Sequence, residues 1–91
     1  MKFNDAPNVM VITTKRIIHK TANVTIVFHD EDDGMWQFLD GIDNDEDSAA
    51  IISLQEMVTI DNSIEEIADL PLGWVAWRHD TQSVWNCQKN D

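Results

Sequence analysis

NVTIVFHDEDDGMWQFLD, residues 23 to 40, is a strand, a turn and a second strand written in order. NVTIVFH alternates with period two, setting Val24, Ile26 and Phe28 on one face and Thr25, Val27 and His29 on the other, which is the signature of an extended segment. HDEDDG then supplies the Asp and Gly residues that tight turns favour. MWQFLD resumes the alternation with Trp36 and Phe38 in phase, so the stretch predicts a β-hairpin.

Outward from this hairpin, VMVITT at 9 to 14 is rich in β-branched residues and predicts a strand. TKRIIHK after it either prolongs that strand or makes a turn. AAIISL at 49 to 54 reads as a short buried strand, and Ser53 stands three residues before Glu56, a capping-box spacing. Ser63 and Glu66 repeat that spacing at the start of SIEEIADL, whose Ile64, Ile67 and Ala68 line one helical face until Pro71 and Gly73 end it. GWVAWRH and SVWNC, separated by DTQ, predict a closing hairpin that adds Trp74, Trp77 and Trp85 to the apolar inventory. The sum is a single α+β domain over residues 1 to 91, a small and mostly antiparallel sheet of about five strands with one or two short helices.

The charge is lopsided. The chain has 91 residues and a net charge of -11, yet no Lys or Arg lies between Lys20 and Arg78, while residues 21 to 77 hold fourteen acids. Two carboxylates about 6 Å apart in water repel by roughly 0.7 kcal/mol, so such crowding costs stability unless a cationic surface meets it. The same distribution excludes nucleic acid as a partner, because phosphates need Lys and Arg to neutralise them. It also disfavours anionic lipid, and no run approaches the eighteen or so apolar residues of a membrane span. The N-terminus lacks the apolar length of a secretory leader, and the single Cys87 suits a reducing compartment, so a cytoplasmic location is expected.

No constellation of residues predicts catalysis or a cofactor. Asp43, Asp45 and Asp47 have the 1-3-5 spacing of a calcium loop, but Ser48 stands where the sharp turn needs Gly and Leu54 where a bidentate Glu should close the site. His29 with Asp30, Asp32 and Asp33 offers metal-ligand chemistry, yet neighbours on a strand end and turn project apart. Cys87 with His19, His29 or His79 has no setting that would lower a thiol pKa, and Gly34, Gly41 and Gly73 are too few for a phosphate-binding loop. Core packing accounts for most of Trp36, Trp74, Trp77 and Trp85, leaving room for one exposed indole at an interface.

Together TTKRI at 13 to 17, DDGMWQF at 32 to 38, IISL at 51 to 54 and DLPLGWVAWR at 69 to 78 resemble bacterial domain-of-unknown-function family 2185, which is similar to immunity protein family 33 of polymorphic toxin systems. Met35 departs from the pattern by separating Gly34 from Trp36, which leaves the register of the hairpin open. The resemblance implies a small cytoplasmic α+β protein, in some members neutralising a toxin domain, and brings no catalytic residues.

The function expected from these readings is a non-catalytic module binding a basic protein, such as a toxin domain, through Asp30, Glu31, Asp32, Asp33, Asp43, Asp45, Glu46 and Asp47, with Trp36 as an anchor. Two alternatives stand beside it. One is an interaction domain forming a homodimer through an exposed sheet edge. The other is a metal-binding protein using His29 and Asp30 to Asp33.

Overall fold

The computed structural model describes residues 1 to 42 and 46 to 90. It is an α+β fold built on one six-stranded sheet. The strands are β1 (Met10–Thr14), β2 (Ile26–His29), β3 (Trp36–Leu39), β4 (Ala49–Ser53), β5 (Trp74–Trp77) and β6 (Asn86–Lys89), in the spatial order β4-β1-β3-β2-β5-β6. Every neighbouring pair is antiparallel except β1 and β3.

The predicted hairpin is β2 and β3, and its register is unambiguous. His29 faces Trp36 and Val27 faces Phe38. Met35 is accommodated in the turn, where its carbonyl accepts from Asp30 N at 2.8 Å and its N–H donates to Asp33 Oδ1 at 2.9 Å. Gly34 adopts φ +74°, the left-handed conformation that a side chain would strain.

TKRIIHK neither prolongs β1 nor makes a simple turn. It forms a short helix, α1 (Lys15–Ile18), because the Thr14 hydroxyl accepts from Ile17 N at 3.2 Å and ends the strand as an N-cap. Ser53 likewise caps α2 (Leu54–Ile60), accepting from Glu56 N at 3.1 Å as its spacing predicted. The following segment, Asn62–Ile67, is a 3-10 helix capped by Asp61 rather than by Ser63. Ser63 is instead held by that cap, donating its N–H and hydroxyl to Asp61 Oδ1 at 3.0 and 2.6 Å.

The alternation in the strands distinguishes two sheet faces, and only one is covered by helices. Val11 and Thr13 of β1, Trp36 and Phe38 of β3, Val27 of β2 and Ala76 of β5 are buried on the covered face. Leu54 and Met57 of α2, with Ile64, Ile67, Leu70 and Phe3, close over them to complete the core. Each such fully buried aliphatic or aromatic side chain contributes roughly 1.5–3 kcal/mol of transfer free energy.

One choice the sequence left open is decided here and two expectations are corrected. In β2 it is Val27 that enters the core, whereas Ile26 and Phe28 lie half-buried on the other face; both rows are apolar, so alternation alone does not say which turns inward. β4 is an edge strand paired only with β1, not a buried one, and its Ile51 is 62% exposed. The closing strand starts at Asn86, so Trp85 belongs to the connection and packs under Arg78 instead of in the ladder.

Candidate partner-binding surfaces

Asp30, Glu31, Asp32 and Asp33 occupy the turn between β2 and β3, at one end of the sheet. The turn is anchored from both sides. Asp30 Oδ2 accepts from Gln37 Nε2 at 2.7 Å, and a side chain placed at Gly73 would come within 3.0 Å of Glu31 Oε2. Gly73 N donates to the His29 carbonyl at 2.7 Å, and His29 Nδ1 lies 2.7 Å from the Leu70 carbonyl. These contacts bring Leu70 and Gly73 to the same end as the acidic turn. A cleft of about 240 Å³ opens there, lined by His29, Asp30 to Asp33, Gly73, Trp74 and Asn90.

Among the described residues, ion pairs engage Glu65, Asp40 and Asp61 and none reaches the acidic turn. Asp40 closes the other end of β3, its carboxylate accepting from Thr14 Oγ1 at 2.9 Å, Arg16 Nε at 2.9 Å and Ile42 N at 3.0 Å. Burial would raise the Asp40 carboxyl, but the hydrogen bonds from Arg16, Ile42 and Thr14 and the charge of Arg16 hold it below its ordinary value.

The predicted contact residues do not gather into one patch around that turn. Asp47 follows the far end of β3, in the 3-10 helix Glu46–Ser48, so the length of the strand separates it from Asp30 to Asp33. Asp43, Asp45 and the side chain of Glu46 lie outside the described residues. Trp36 is not an anchor on an exposed surface: it is 2% exposed, stacked on His29 with ring centroids 3.8 Å apart, and donates its indole N–H to Asp5 Oδ1 at 3.2 Å. With Trp36 against its face and the Leu70 carbonyl at Nδ1, His29 is half-buried at the edge of the core. No group of three or more His, Cys, Asp or Glu among the described residues is disposed to hold a metal ion.

Sequence reasoning missed the second surface, the sheet face that no helix covers, on which Thr14, Leu39 and Val75 are buried and the outer positions exposed. One row crosses all six strands as Ile51, Ile12, Gln37, Phe28, Val75 and Gln88, each opposite the next. A second runs as Leu39, Ile26, Trp77 and Asn86, with Thr14 and Ala49 at its β1 and β4 end. Met10 and Ser53 complete the outward positions. That makes three from β1, three from β4 and two from each other strand, fourteen in all, and not one is charged. An antiparallel sheet with one solvated face normally presents polar side chains there. This face instead exposes Ile51 at 62%, Met10 at 49% and Trp77 at 37%. The signal was present in MVITT, IVFH and WVAW, whose outward rows are as apolar as their inward ones.

Cys87 lies on β6 with its thiol pKa pushed up by burial and by the nearby charge of Asp69, which suppresses the reactive thiolate. No helix among the described residues is long and apolar enough to cross a membrane. Comparison of the chain with protein-family models, with curated proteins and with solved structures finds no match.

Proposed function

We propose that this chain is a non-catalytic, cytoplasmic protein-binding module that meets a basic partner with its acidic end, as an immunity protein of the resembled families would meet a cationic toxin domain. One observation carries the reading. Four consecutive carboxylates, Asp30 to Asp33, stand in a turn held by Gln37 at Asp30 and by Gly73 N at the preceding His29 carbonyl, and are reached by no ion pair among the described residues. Their mutual repulsion is relieved when a surface of Lys and Arg approaches, and opposed fields raise association rates by orders of magnitude at low salt.

The test is capture on the immobilised chain from a lysate of its host, run beside a variant carrying Asp30→Asn, Glu31→Gln, Asp32→Asn and Asp33→Asn. A protein of basic isoelectric point is expected on the native chain at low salt, released as salt rises and absent from the variant. Equal retention by both chains, or retention indifferent to salt, overturns the proposal. The uncharged sheet face favours a second reading, a self-associating interaction domain.

A further inference from the structure

We infer that the uncovered sheet face is an interface between two copies of this chain, a surface distinct from the acidic end assigned to a basic partner. The face is anomalous in two ways at once. It exposes Met10, Ile51 and Trp77 on an otherwise strongly charged molecule, and it carries no ionisable side chain at any of its fourteen strand positions. Apolar exposure of this kind marks a surface that something covers.

Charge decides what covers it. A basic partner docked there would bring Lys and Arg against an apolar sheet that has no carboxylate to receive them, losing hydration without an ion pair in return. A second copy meets the opposite situation. Two chains of net charge -11 repel wherever their carboxylates approach, so a self-interface must be placed where carboxylates are absent. This face meets that requirement at its strand positions; the carboxylate that borders it is Asp30, which accepts from Gln37 at the end of the β2–β3 pair.

Size agrees. The body measures 28 × 27 × 24 Å, so its broadest side spans about 760 Å² (28 × 27), against roughly 800 Å² that each partner contributes to a standard interface. A two-fold axis lying between the two sheets and parallel to the strands would set the same rows against each other, Ile51 of one copy toward the β5 side of the other, with the sheets about 10 Å apart as in a sandwich. Trp77 supplies the large flat side chain that dominates such contacts.

Sedimentation equilibrium of the full chain, across a concentration series and at low and high salt, tests this. The native chain is expected at twice its monomer mass, with the dimer tightened by salt because screening quiets the acidic margins. Binding to a basic partner has the reverse dependence, so the two proposals fail separately. Ile51→Glu and, as an independent substitution at another exposed site, Met10→Glu should each weaken the dimer at least about tenfold while the far-ultraviolet circular dichroism stays native. Trp77→Gln, four strands from Ile51 across the sheet, should weaken it as well. A native chain that stays monomeric at every concentration overturns the inference. So does a dimer that survives Trp77→Gln, which would be paired through the β4 edge, or one that survives both glutamate variants.

Discussion

The Arg78 guanidinium lies over the Trp85 indole, 4.2 Å from the ring centroid, and this contact joins the last strand connection to the body of the fold. Arg78 is 4% exposed, and its nitrogens are distributed over three further groups. Nε donates to the Val24 carbonyl at 3.0 Å, one terminal nitrogen to Ser63 Oγ at 3.0 Å and the other to Asp61 Oδ2 at 3.2 Å. One side chain therefore ties β5 to the start of β2, to the 3-10 helix and to the β5–β6 connection.

Replacing Arg78 with Met leaves the Val24 carbonyl and the Asp61 carboxylate without their donor. Removing one partner of a largely buried ion pair costs about 3 kcal/mol or more. Arg78→Lys recovers little, because an ammonium cannot reach three separate acceptors with fixed geometry or stack on an indole. Urea melts of the two variants should show similar losses; a near-native Arg78→Lys midpoint would refute the geometric reading.

Trp85 separates packing from polarity. Its Nε1 is buried and has no hydrogen-bond partner, so the indole N–H is a cost that the ring's contacts offset. Trp85→Phe keeps a ring beneath Arg78 and removes that donor, and should change stability by less than about 1 kcal/mol, whereas Trp85→Ala should cost about 2 kcal/mol. Thermal denaturation of both variants gives the comparison directly.

Asp40 predicts an acid limb of the stability curve. Its folded pKa lies below the ordinary 3.8, so the folded state binds its proton less readily than the unfolded state. The resulting stabilisation is complete above the unfolded value and is lost as pH falls from about 3.8 through the lower folded value. Asp40→Asn should be less stable than the native chain at neutral pH, with the difference shrinking in that acid window. Urea midpoints collected from pH 7 down to pH 2.5 would reveal a gap that does not narrow, contrary to this account.

Cys87 is exposed as a residue, yet its thiol should alkylate slowly at neutral pH because burial and Asp69 both disfavour the thiolate. Asp69→Asn removes one of the two causes and should accelerate labelling by iodoacetamide, while unfolding in urea should accelerate it further. Mass spectrometry of timed reactions measures both rates.

What was legible in the chain follows from local chemistry. The β2–β3 hairpin could be read because its turn residues and period-two pattern act over a few bonds, and the Ser53 cap because a hydroxyl reaches only the backbone N–H three residues on. The uneven charge is likewise a property of order along the chain. It did not reveal where that charge would stand: β3 divides Asp30 to Asp33 from Asp47.

Tertiary structure alone settled which apolar row turns inward. Val27 and Phe28 are equally suited to a core, and the choice fell to how α2 and the 3-10 helix close over one face of the sheet. Trp36 passed from supposed anchor to core, and Trp77 emerged as the exposed indole, for the same reason. Hydrophobicity along a strand says that a side chain favours burial, but coverage depends on elements that meet only after the sheet has assembled, and six strands with helices on one side leave a face uncovered.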